Sequence, residues 1–100
     1  MTAKLTKASF EPFLDTEFEI VIGNDGSLPI RLIEVTEKHT AAIESYTLLF
    51  RGPKDRYIRH DTHPVHHPEM GELNLFIGPV MYPKQDGIYY EVILSYLRRS

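Results

Sequence analysis

The stretch His67-Pro68-Glu69-Met70-Gly71-Glu72-Leu73-Asn74-Leu75-Phe76-Ile77-Gly78-Pro79-Val80 decides how the chain folds. Pro68 and Gly71 bracket a tight turn, and from Glu72 polar and apolar residues alternate as Glu72, Leu73, Asn74, Leu75. That period of two belongs to a strand with one face in a core and the other in water, so Leu73, Leu75 and Ile77 are expected to point inward. Gly78 removes a side chain and Pro79 a backbone donor, so regular pairing should stop or bend there, as at a bulge or a barrel corner.

Downstream, Pro83-Lys84-Gln85-Asp86-Gly87 forms a second turn. It leads to a strand with Tyr90, Val92, Leu94 and Tyr96 on one face and Tyr89, Glu91, Ile93 and Ser95 on the other. Apolar residues on both faces predict that this strand is central or covered on both sides. Upstream, Thr62 to His67 reads as a strand whose Pro64 cannot donate to a ladder, which places at least its first half at an edge. The polar segment Lys54 to Asp61 is longer than the usual connection and is expected to be functional or mobile. Before it, Tyr46, Leu48 and Phe50 alternate in a strand that Gly52-Pro53 ends.

Nearer the N-terminus, Phe18, Ile20 and Ile22 alternate with Glu17, Glu19 and Val21 in a first strand. An Asp25-Gly26 hairpin signal follows, because the left-handed backbone of such a turn costs Gly little. Leu28, Ile30 and Leu32 then alternate until Ile33 and Val35 take up the opposite parity, which predicts a bulge near Leu32 that helps the sheet coil. Phe10, Phe13 and Leu14, at i, i+3 and i+4 after an N-cap at Thr6, predict one short helical turn over an end of the core. The whole reads as a single all-β domain over residues 1–100, an antiparallel meander of about six strands. A sheet of that size hides its apolar face by closing into a small barrel, with a two-layer sandwich as the alternative.

Composition narrows the function classes. With 42% apolar and 25% charged residues, the 100-residue chain matches a globular domain with one core. No apolar run approaches a membrane span. The N-terminal residues lack a continuous apolar segment and a small-residue cleavage site, so synthesis in the cytoplasm is expected. The absence of cysteine excludes disulfides and thiolate metal sites. A formal charge of -3 argues against a general nucleic-acid binder, which needs a basic excess to neutralise phosphates.

Three constellations carry chemistry. His60, His63, His66 and His67, with Asp61, Glu69 and Glu72 nearby, are the candidate metal ligands. Strand alternation sends His63 and His67 to one face and His66 to the other, so the alternative metal pair is His63 and His67, short of the three or four ligands a site needs. The alternative function is a small-ligand or metal-binding barrel that uses the His60 to His67 strand. Arg51, Lys54, Arg56 and Arg59, with Tyr57 among them and His63 just beyond, form a candidate surface for a protein partner. Of the tyrosines, Tyr46, Tyr90 and Tyr96 are in register with core residues, whereas Tyr57 and Tyr82 lie on loops and are the better contact candidates. No nucleophile elbow, activated serine or phosphate-binding glycine loop is present, so no catalytic residue and no cofactor is expected.

Four segments carry a resemblance: Phe10-Glu11-Pro12-Phe13, Thr47-Leu48-Leu49-Phe50-Arg51-Gly52-Pro53, the opening stretch His67 to Val80, and Tyr90-Glu91-Val92. Together they resemble a family of small bacterial proteins catalogued as a domain of unknown function. The resemblance implies an all-β single domain and no known reaction or cofactor. Such proteins are often encoded beside phage-tail-collar-type proteins, which implies a non-catalytic interaction or assembly role with such a neighbour or with a second copy. The histidines at His60, His63 and His66 and the tail after Ile93 depart from the family pattern. The Pro64 edge and the basic loop are the surfaces expected to meet the partner.

Overall fold

The structure is a computed structural model that describes residues 5–23 and 26–98. A short helix, Lys7–Phe10 (α1), tightens into a 3-10 turn at Glu11–Phe13. Thr6 is its N-cap; the Thr6 amide donates to Ser9 Oγ at 3.0 Å and the Ser9 amide to the Thr6 carbonyl at 3.0 Å. Phe10 is fully buried, Phe13 packs against the core from its edge, and Leu14 is exposed. No helix among the described residues is long and apolar enough to cross a membrane.

Six strands follow: β1 (Glu17–Val21), β2 (Ser27–His39), β3 (Ile43–Gly52), β4 (Asp61–His67), β5 (Gly71–Val80) and β6 (Ile88–Leu97). They close into a barrel in the order β1-β2-β3-β6-β5-β4, every neighbouring pair antiparallel. The all-β barrel with one short helix is thus what the alternation predicts. Its meander runs in two halves, β1-β2-β3 and β4-β5-β6, joined by the segment between Gly52 and Asp61 that crosses one barrel end.

Local sequence explains most of this path. Asn24 and Asp25 of the expected hairpin lie outside the described residues; beside them, the Ile22 amide donates to the Gly26 carbonyl at 2.8 Å. The β2–β3 register shifts between Leu32 and Glu34. Ile33 is the extra residue, so Leu28, Ile30 and Leu32 before it and Val35 after it all reach the core. The turn after β4 is taken by Pro68, Glu69 and Met70 and ends on Gly71 at φ +80, a conformation that disfavours a side chain.

Beyond that turn, β5 runs on through Gly78 and Pro79, and what changes is its partner. Residues Gly71 to Ile77 pair with β4, and Ile77 to Val80 pair with β6. Leu75 and Ile77 are buried and Leu73 is partly buried, as their parity predicts. They meet Phe18, Phe50, Tyr90 and the aliphatic residues of the other strands, with Phe18 and Phe50 edge to face at 5.3 Å. Each of these large side chains stabilises the fold by about 1.5–3 kcal/mol through burial.

The crossing segment, expected to be functional or mobile, is anchored to the barrel by several contacts. Ile58 is buried in the core cluster, and the Tyr90 hydroxyl donates to the Arg56 carbonyl at 3.4 Å. The His60 ring occupies the space above Gly78 where a Cβ would stand, and it faces Phe76 at 6.3 Å between ring centroids. The central position expected of β6 holds fully only for its first half, where β3 and β5 flank it. Tyr89 is covered there by Tyr82, stacked at 4.2 Å, but Ile93 and Leu97 are uncovered.

Candidate functional site

The histidines part ways once the barrel forms. His67 is buried at 2% exposure, its ring 4.7 Å from that of Phe13 and 4.4 Å from that of Phe18. Its Nδ1 accepts the amides of Glu69 at 3.1 Å and Met70 at 3.3 Å, so the proton sits on the other nitrogen. Nε2–H then donates to Thr16 Oγ1 at 3.0 Å, and that hydroxyl donates to the Phe13 carbonyl at 2.6 Å. One ring thereby closes the Pro68–Met70 turn and ties β4 to the residue before β1. The link matters because β1 and β4 share only two register pairs, Glu19↔His66 and Ile20↔Val65.

His63 is on the same face of β4 as His67 but four residues away, about 13 Å along a strand. Its Nε2 donates to the Arg59 carbonyl at 3.1 Å. His66 points outward and is exposed, and His60 lies over Gly78. The structure therefore does not bring His63 and His67 together, and both ring nitrogens of His67 are engaged within the fold. Among the described residues no three His, Asp or Glu side chains gather as a metal set.

The basic residues divide as well. Arg51, in β3, donates to Asp86 at 3.1 Å and is half-buried. Arg56 reaches toward the Ser27 carbonyl at 3.5 Å, the limit of a hydrogen bond. Lys54 and Arg59 are exposed, and Tyr57 stands 66% exposed beside the buried Ile58. Lys54, Tyr57 and Arg59 thus remain presented on an anchored loop, while Arg51 and His63 are held by intramolecular partners.

Three tyrosine hydroxyls donate within the fold. The Tyr46 hydroxyl donates to Glu44 at 2.8 Å, and that carboxylate together with burial pushes its pKa up to about 12. The Tyr89 hydroxyl donates to Asp86 at 2.6 Å, which raises the phenol and holds the Asp86 carboxyl below its ordinary range. Burial raises the Tyr90 phenol. Tyr82, stacked on Tyr89, covers the barrel.

A feature of a different kind lies at the far end of β6. From Val92 back to Tyr89 this strand is flanked by β3 and β5, but β5 then turns away with β4. From Ile93 to Leu97, β6 keeps β3 on one side, in register from Thr47 to Ile43, and no described strand on the other. Pro79 identifies which groups face the gap. Lacking an amide, it makes Pro79↔Tyr90 a non-hydrogen-bonded pair, so Tyr89 and Glu91 direct their backbone groups at β5. Alternation continues that direction to Ile93, Ser95 and Leu97. The amide of Arg98 fits this, since it donates to Ala42 on the β3 side at 2.7 Å.

The side chains along this edge are uncharged. Ile93 is 56% and Leu97 80% exposed on the outer face of the sheet, with Ile43 beside Leu97. Other open stretches of edge carry features that discourage pairing: Glu37 and Lys38 on β2, Asp61 and Pro64 on β4, Glu72 on β5. The expected Pro64 edge is present, since Asp61 to Pro64 pair only with β5, but it is a guarded one. Sequence reasoning missed the β6 edge because two apolar faces look alike on a central strand and on one that projects beyond its neighbour.

These features define a small closed barrel with a filled interior, a strand edge open at one end, and an anchored basic loop. The chain belongs to the Domain of unknown function (DUF6916) family, whose model matches residues 5–94. No curated protein and no solved structure matches the chain.

Proposed function

We propose that this protein is a non-catalytic interaction or assembly module that accepts a β-strand from its partner along Ile93 to Leu97. The observation that carries the reading is the unguarded edge. It offers a row of backbone donors and acceptors beside exposed Ile93 and Leu97, which is the chemistry of strand addition: main-chain bonds give affinity and alternate side chains give selectivity. The phage-tail-collar-type proteins implied by the family resemblance are the first partners to test, beside a second copy of the chain.

The experiment offers immobilised protein those neighbours and a cell lysate, in parallel with Ile93→Lys, which puts a charge on the edge and leaves the core untouched. Wild type is expected to retain a partner that the variant loses. A wild type that stays monomeric and retains nothing, or a partner held equally by both, overturns the reading. A second surface is favoured by the exposure of Lys54, Tyr57 and Arg59 on an anchored loop. An acidic partner bound there would be lost with Arg59→Glu and with rising salt.

A further inference from the structure

We propose that the strand completing this edge comes from a second copy of the chain, with β6 pairing antiparallel to its own twin about a two-fold axis at Ser95. The proposal rests on the strand-addition reading and names the occupant. A two-fold interface requires a patch that complements itself. The edge residues Ile93, Leu94, Ser95, Tyr96 and Leu97 carry no charge, so two copies meet without repulsion. The open edge of β2 carries the charged Glu37 and Lys38, and that of β4 carries Pro64, which has no amide to donate.

Geometry selects the register. The outward backbone groups belong to odd-numbered residues, so the two-fold passes through an odd residue whose pair exchanges both hydrogen bonds. Ser95 is the middle one. Ile93 then stands opposite the partner's Leu97, Ser95 opposite the partner's Ser95, and Leu97 opposite the partner's Ile93. Each pair exchanges an amide and a carbonyl bond, about six in all. On the outer face, Ile93, Leu97 and the adjoining Ile43 of each copy form one apolar band across the junction. The product is a continuous sheet in the order β2-β3-β6-β6-β3-β2, and the same contact closes the pair so that it does not grow into a filament.

The chain contains no cysteine, which makes a single introduced thiol a clean reporter. In an exchanged antiparallel pair the Cα atoms are about 5.5 Å apart, within reach of a disulfide. Ser95→Cys is therefore expected to give a covalent dimer under mild oxidation, while Lys38→Cys on the β2 edge is not. Analytical ultracentrifugation of the wild type over a concentration series is expected to show a monomer–dimer equilibrium, with Ile93→Lys weakening it about a hundredfold because the change enters the interface twice.

A wild type that is monomeric throughout overturns self-pairing, as does a dimer in which Ser95→Cys fails to cross-link or Ile93→Lys has no effect. Amide exchange separates that failure from failure of the edge reading itself. Rapid exchange at Ile93, Ser95 and Leu97 in a monomer leaves the edge open for another protein's strand and removes only the second copy. Protection of those amides in a monomer overturns both readings.

Discussion

Removing the His67 ring should cost more stability than its place among surface-looking histidines suggests. His67→Ala deletes an aromatic ring packed between Phe13 and Phe18 and leaves the Glu69 and Met70 amides and the Thr16 hydroxyl without that partner. Lost ring contacts account for about 1–2 kcal/mol, and stranding part-buried polar groups adds about 1–3 kcal/mol. A total of about 3 kcal/mol is a large share of the roughly 5–15 kcal/mol that holds a domain together. It should lower Tm by about 12–20 °C in a chain of this size. Urea denaturation gives the free energy directly. His67→Asn retains a carbonyl oxygen able to accept an amide two residues on, so it should recover part of the loss, and Thr16→Val alone should cost about 1 kcal/mol. If the ring is the link, His67→Ala and Thr16→Val are non-additive by at least about 0.5 kcal/mol. A cost for His67→Ala below about 1 kcal/mol, or strict additivity in the double variant, refutes the role assigned to the ring.

Two further outcomes follow from the barrel end. Gly78→Ala places a methyl group where the His60 ring lies, so it should destabilise the wild type by about 1 kcal/mol. It should be neutral or stabilising by about 0.5 kcal/mol in a His60→Ala background, where the space is free and the unfolded chain is restricted; equal effects in both backgrounds by urea denaturation would discount the contact. The Asp86 carboxyl, held below its ordinary 3.8 chiefly by the Tyr89 hydroxyl, with a backbone hydrogen bond and Arg51 also lowering it, contributes stability above that value and loses it as pH falls through the folded-state value. The stability difference between wild type and Asp86→Asn should therefore be constant from neutral pH to about pH 5 and shrink in more acid solution. A difference that grows on acidification has the wrong sign.

What could be read from the sequence was whatever a short window contains. Phe18 and Ile20, Leu75 and Ile77, and Tyr46, Leu48 and Phe50 declare their inward faces by parity, and the parity change at Ile33 declares the bulge. The pairing of β3 with β6 and of β1 with β4 joins residues far apart in the chain, and no local pattern encodes it. His67 groups in sequence with His60, His63 and His66 as a candidate ligand, and its capping role is not visible in that grouping; read against the turn after it, a ring acceptor beside Pro68-Glu69-Met70 points to capping of the Glu69 and Met70 amides. Lys54 to Asp61 reads as a polar surface loop because its charges outnumber Ile58, yet that residue is buried in the core cluster.

The stretch His67 to Val80 is therefore occupied in building the barrel. His67 closes the turn and the β1–β4 seam, Leu75 and Ile77 fill the core, and Gly78 receives the ring of His60. The family match ends at residue 94, inside the open edge, so Ser95, Tyr96 and Leu97 lie beyond it. Changing Ser95 or Leu97 alters the exposed end of β6, whereas changing His67 or Gly78 strikes the fold. If a strand adds along β6 as proposed, partner capture should be lost with substitutions at Ile93 or Leu97 that leave stability unchanged, and the His67 to Val80 stretch should govern stability instead.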